Sequence, residues 1–215
     1  MNASLSEIES LAKRATRGIG FSWGLAEDAG TATRCLSSLG LPGPELLAAQ
    51  LRLNDGASVS ELLPTTGQST WASTAGRLCP LVTGATLSDY ATLLHPAVEL
   101  QIVDLSYPLL LVPFVGFAAS SLQTNLMVSW RGVRITTDGV QFGIDGRAED
   151  LQVAGAQRLH CIADARTFSA APTVLRQDIV ESDWTCLEQL AHRTYAPATE
   201  ESRMRGAGSD LPDNN

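Results

Sequence analysis

The segment Arg17-Gly18-Ile19-Gly20-Phe21-Ser22-Trp23-Gly24-Leu25-Ala26-Glu27-Asp28 is the densest run of residues able to hold a ligand. Its three glycines suggest a backbone cradle for phosphate. A dinucleotide fingerprint, however, has G-x-G-x-x-G spacing and follows a strand. Here the spacing is G-x-G-x-x-x-G, and a helical pattern comes before it. A Rossmann site does not fit. What remains is the start of a second helix, whose free backbone N–H groups favour an anion. Arg17 and Ser22 could assist, with Trp23 and Glu27 beside them. These four are the candidate ligand-binding residues. The plainer reading is a tight helix–helix turn with Trp23 in the core.

His160-Cys161, with Asp164 three residues on, is where a thiol, an imidazole and a carboxylate crowd together. A cysteine nucleophile needs a base to form thiolate. Adjacent residues on a strand point to opposite faces, so His160 does not serve Cys161 without a bulge. Cys161 stays a candidate nucleophile, against the plainer reading of a small buried hydrophobe. His95, His160 and His192 lie far apart and lack the i, i+4 spacing of a helical ligand pair, so no metal site is expected. Glu27/Asp28, Glu149/Asp150 and Glu200/Glu201 read as solvated surface. No cofactor is expected.

Composition removes further chemistry. Lys13 is the only lysine among 15 basic residues. It follows no Gly-rich loop, which sets aside a Schiff-base enzyme and a P-loop. A net charge of −8 argues against a nucleic-acid partner. Cys35, Cys79, Cys161 and Cys186 are too irregularly spaced for a zinc ribbon. With no basic-then-apolar leader at Met1-Asn2-Ala3-Ser4, reduced thiols in a cytoplasm are expected. The most apolar run, Tyr107 to Ala119, is too short to span a membrane and is broken by Pro108, Pro113 and Gly116. It predicts one or two buried strands with a bend at Pro113.

The elements that must position these residues fall into two halves. Ser4 and Glu7 form a capping-box pattern ahead of Leu5, Ile8, Leu11, Ala12 and Ala15 at helical spacing, and Gly18 and Gly20 end that helix. A second helix is predicted from about Leu25 to Leu39, with a seam of Leu25, Ala29, Ala32, Leu36 and Leu39. A third runs from Pro44 to about Leu53. Residues 54–76 read as an irregular connection, and a short helix is predicted near Leu87–Leu94. From about Ala97 the period becomes two. Strands are predicted around Val98–Val103, Leu126–Trp130, Val133–Thr136, Val140–Ile144, Leu151–Ala154 and Arg158–Ala163, with a hairpin at Asp138-Gly139. A last helix runs from Ile179 to about Tyr195. The class is α+β: N-terminal helices packed on a mostly antiparallel β-meander, then a C-terminal helix. Residues 1–196 read as one domain and 197–215 as a flexible tail.

Leu5-Ser6-Glu7-Ile8-Glu9, the run from Arg17 to Gly30 and the ending Ser202-Arg203-Met204-Arg205-Gly206-Ala207-Gly208 together resemble a bacterial family of unknown function, a single domain of about this length. The resemblance implies a bacterial, cytoplasmic, single-domain protein, and it brings no activity, cofactor or catalytic residue. The residues themselves point to a protein that binds a small anionic metabolite or a metabolic partner enzyme. Two alternatives stand beside that reading. One is a cofactor-independent isomerase or hydrolase using Cys161 or a histidine. The other is a structural subunit of a larger complex.

Overall fold

The computed structural model describes residues 1–66, 69–74, 76–94, 99–164 and 166–195. The chain opens with strand β1 (Asn2–Ser4) and helix α1 (Leu5–Gly18). The capping box forms as the sequence predicts: the Ser4 hydroxyl accepts from the Glu7 backbone N–H, and the Glu7 carboxylate accepts from the Ser4 backbone N–H. Helices α2 (Trp23–Ser38) and α3 (Gly43–Asn54) follow. The predicted seam of α2 is buried at Leu25, Ala29, Ala32 and Leu36. Gly18 ends α1 against the last helix, where a Cβ would stand 1.9 Å from the Leu190 carbonyl oxygen, so only glycine allows that approach.

The connection after α3 holds the single helical turn α4 (Val59–Leu62) and the short strand β2 (Thr70–Trp71). Helix α5 (Pro80–Asp89) begins seven residues before the predicted Leu87, with Pro80 in its first turn. A 3₁₀ turn (Ala91–Leu93) occupies the rest of the predicted span. Strand β3 (Leu100–Ser106) comes next.

The predicted strands of the apolar run are instead helical. Pro108–Leu111 is a 3₁₀ turn that passes directly into α6 (Val112–Leu122). Tyr107, in the left-handed region at φ 37°, turns the chain out of β3. Pro113 then sits in the first turn of α6, where its missing N–H costs nothing. The run has no period because α6 is enclosed on nearly every side. It packs on the sheet strands Leu126–Trp130 and Val133–Thr137 and on α2 and α5. A Cβ on Gly116 would come within 2.8 Å of the Phe142 ring, which shows how closely α6 approaches the sheet.

Strands β4 (Leu126–Trp130), β5 (Val133–Thr137) and β6 (Phe142–Asp145) pair antiparallel in order, and β5–β6 is the predicted hairpin at Asp138-Gly139. The predicted strand over Leu151–Ala154 is instead the end of a helical turn, α7 (Ala148–Leu151), and an irregular link. Its first turn carries Glu149 and Asp150, and the Trp130 indole N–H donates to the Asp150 carbonyl, which holds that turn in place. Strands β7 (Gly155–Ala163) and β8 (Arg176–Asp178) and helix α8 (Glu181–His192) complete the order. The expected tail, 197–215, lies outside the described residues.

The fold is α+β. Its main sheet has the order β2-β3-β7-β4-β5-β6, antiparallel except for the β2–β3 pair, and β1 pairs with β8 separately. The meander is β4-β5-β6, while β7 returns to insert between β3 and β4. One face of the sheet, with Ile102, Leu126, Val128, Ile135, Leu159 and Cys161, is buried in the core. The other face carries Gln101, Ser129, Arg134, Arg158 and His160 and is polar. Among the described residues, no helix is long and apolar enough to cross a membrane.

Candidate functional site

The structure brings Arg17, Trp23 and Glu27 together at the α1–α2 turn and engages each with a neighbour. The Arg17 guanidinium donates to the Phe21 carbonyl at 2.6 Å and lies over the Trp23 ring at 5.3 Å. Lys13 lies 5.7 Å from the same ring and pairs with Glu27 at 2.5 Å. Ser22 caps α2 by accepting from the Leu25 N–H. Trp23 is 55% exposed, so it is not the core residue of the plainer reading; Phe21, 1% exposed, takes that place.

The hollow beside the start of α2 has a volume of about 660 Å³ and includes Asp28 and Asp89 along its wall. Partial burial, then Asp89 and Glu27, push the Asp28 carboxyl above its ordinary value. An anion entering beside Ser22 would meet that negative field.

Cys161 faces the core and is fully buried, and burial pushes its thiol up to about 12. His160, the next residue, points to the opposite, polar face, as strand alternation predicts. Asp164 is taken by Arg166, whose Nη2 is 2.8 Å away. His192 stacks edge-on against Tyr195, and His95 lies outside the described residues. Among the described residues Cys161 therefore meets neither an imidazole nor a carboxylate, and burial keeps its thiol protonated near neutral pH.

A different constellation forms on the polar face. Strands β4 and β7 pair from Leu126↔Ala163 to Ser129↔His160 and then part. Beyond that rung β4 turns into β5 through Arg131-Gly132, with Gly132 at φ 76°. Strand β7 continues to Gly155 with pairs only to β3. The fork between them opens a hollow of about 690 Å³, closed on its far side by α7.

Arginines converge on this fork from four elements. Arg131 stands at the tip of the β4–β5 hairpin, Arg147 precedes α7 and Arg158 projects from β7; all three line the hollow. Arg77, just before α5, lies against Gly155 at the rim: a Cβ there would be 3.4 Å from the Arg77 Cζ. Arg147 is already neutralised by Glu149 at 2.7 Å and Asp150 at 2.9 Å. The side chains of Arg77, Arg131 and Arg158 form no hydrogen bond or ion pair among the described residues.

At the base of the fork His160 Nδ1 lies 2.8 Å from Glu99 Oε1. Among the described residues, no three of His, Cys, Asp and Glu gather as a metal-ligand set. Sequence reading missed the fork because Arg77, Ser129, Arg131, Arg147, Arg158 and His160 share no motif. Only the return of β7 between β3 and β4 brings them together.

Residues 3–79 match the family model described as "Protein of unknown function (DUF3726)". That stretch is similar to a family of unknown function. The DUF3726 match begins within β1, runs through α1 to α4 and β2, and includes the Arg17–Gly30 run; Ser202–Gly208 lies beyond it. Of the fork residues, only Arg77 falls within the DUF3726 stretch. The comparison with curated proteins gives no match.

Proposed function

We propose that the protein acts by binding, and that a small anionic metabolite is held in the fork between β4 and β7. The supporting observation is the set of three unspent guanidinium groups, Arg77, Arg131 and Arg158, gathered at one concavity of a chain with net charge −8. Arginine forks suit carboxylate and phosphate oxygens, which they bind in bidentate fashion. The unpaired edge of β7 adds backbone groups that an extended or planar ligand can meet. This reading keeps an anionic ligand but moves it from the α1–α2 turn, where the guanidinium is already used and carboxylates border the hollow.

The same reading places the protein in a bacterial cytoplasm. It is supported by four free cysteines, three of them buried, as a reducing compartment allows.

Inorganic phosphate is the simplest probe. It should raise the thermal midpoint of the full chain, and Arg131→Ala with Arg158→Ala should remove that rise. Arg17→Ala should retain it. A rise that survives the fork substitutions, or that vanishes with Arg17→Ala alone, would remove the fork as the binding site.

A further inference from the structure

We propose that Ser129, His160 and Glu99 make the fork a hydrolytic site, with Ser129 as nucleophile, His160 as general base and Glu99 as the residue that positions His160. The substrate class is an ester whose acyl part carries a carboxylate or phosphate. This inference rests on the anion-binding reading for its substrate, but not for its chemistry.

Ser129 and His160 are direct partners across the β4–β7 ladder, which sets their Cβ atoms roughly 4.5–5.5 Å apart on one face. The hydroxyl and the imidazole are therefore neighbours on that face. Both residues line the hollow. The Ser129 hydroxyl makes no hydrogen bond among the described residues, so nothing there competes for it. Catalytic hydrogen bonds of this kind tighten when substrate binds.

Glu99 Oε1 is 2.8 Å from Nδ1 of His160. A carboxylate only accepts, so Nδ1 carries the proton and Nε2 of the neutral ring keeps its lone pair. That is the tautomer a general base needs. Arg158 lies two residues from His160 on the same face of β7, and Arg131 lies two residues from Ser129. Their charges can hold the acyl end of the substrate beside the reacting pair.

The steps balance with water as the co-reactant. Ser129 Oγ attacks the acyl carbon and its proton passes to His160 Nε2. The C–O bond to the alcohol breaks, and the leaving oxygen takes that proton. Water then attacks the Ser129 ester and gives a proton to His160, which returns it to Oγ as the carboxylic acid leaves.

The test uses the full chain with two activated esters, 4-nitrophenyl acetate and 4-nitrophenyl hydrogen succinate. Both should acylate Ser129, read as a mass increment on the peptide that contains it, with a burst of nitrophenolate. Ser129→Ala should abolish burst and adduct while the thermal midpoint holds. His160→Gln should slow turnover by roughly 10²-fold or more. Glu99→Gln should lower kcat about tenfold and leave KM unchanged, the pattern of a positioning residue. Arg131→Ala with Arg158→Ala should raise KM for the succinate ester only. Acylation of Ser129 without preference for the charged ester supports the hydrolytic site and sinks the anion-binding reading. Absence of a Ser129 adduct with both esters, or equal adducts in Ser129→Ala, overturns the hydrolytic site itself.

Discussion

Ser129 and His160 form the last rung that joins β4 to β7, and the sheet splits immediately beyond them. A sheet that splits in its middle leaves a strand edge unpaired, and an unpaired edge needs polar partners. Here the split is flanked by Arg131, Arg147 and Arg158 rather than by a covering strand.

The glycines of the Arg17–Gly30 run separate into two kinds. At Gly18 a Cβ would collide with the backbone of α8, whereas at Gly24, inside α2, it would meet nothing within 4 Å. Gly18→Ala should therefore destabilise the protein by several times the ~1 kcal/mol of an ordinary substitution, because backbone must move. Gly24→Ala should be neutral or stabilise by up to about 1 kcal/mol. Urea unfolding of the two variants measures both; equal effects would contradict close packing of α1 on α8.

Phe21 and Trp23 should behave oppositely to their size. Phe21 is fully enclosed, and Phe21→Ala should cost about 3–5 kcal/mol. Trp23 is more than half exposed and rests on Lys13 and Arg17, so Trp23→Ala should cost less than about 1 kcal/mol. Denaturant midpoints decide this. A large loss at Trp23 would put that ring in the core after all.

The thiols of Cys79 and Cys161 should resist alkylation in the folded protein. Burial pushes Cys79 up to about 11 and Cys161 up to about 12, and both are enclosed. Iodoacetamide at neutral pH should modify them only as fast as the protein unfolds. Modification of Cys161 ahead of unfolding would restore it as a nucleophile.

The capping box carries a pH signature. Hydrogen bonds from Ser4 hold the Glu7 carboxyl below its ordinary value of 4.5. A carboxyl lowered by folding stabilises the protein above its unfolded value, and that contribution is lost as pH falls through the folded value. The stability gap between the protein and Ser4→Ala should be full near pH 7 and narrower at about pH 3. It should not close, because the Ser4 hydroxyl still accepts from the Glu7 N–H. Thermal midpoints across that range measure it, and a gap that widens in acid would contradict the assignment.

Local physics made the helical half readable. Ser4 with Glu7 satisfies the start of α1 with side-chain hydrogen bonds, and Pro44 in the first turn of α3 lacks the N–H that would need a partner there, so sequence order suffices. The hairpin at Asp138-Gly139 was readable for the same reason: the Asp138 carboxylate accepts from the Val140 and Gln141 N–H groups. The run from Tyr107 to Ala119 was not. A segment buried on nearly all sides shows no period, and its prolines read as strand breakers when they are helix starters. The fork was hidden for a further reason. Arg77, Arg131 and Arg158 are separated by long stretches of chain, and what joins them is the choice of β7 to pair with both β3 and β4. Pairing partners of that kind are long-range and carry no local mark.

Backbone amide NMR of the full chain during titration with inorganic phosphate tests the location of the site most directly. Binding in the fork predicts that the largest shifts fall on residues 129–131, 147 and 155–160, and that they disappear with Arg131→Ala and Arg158→Ala. Shifts centred on Ser22 to Leu25, or no saturable shifts anywhere, would contradict it.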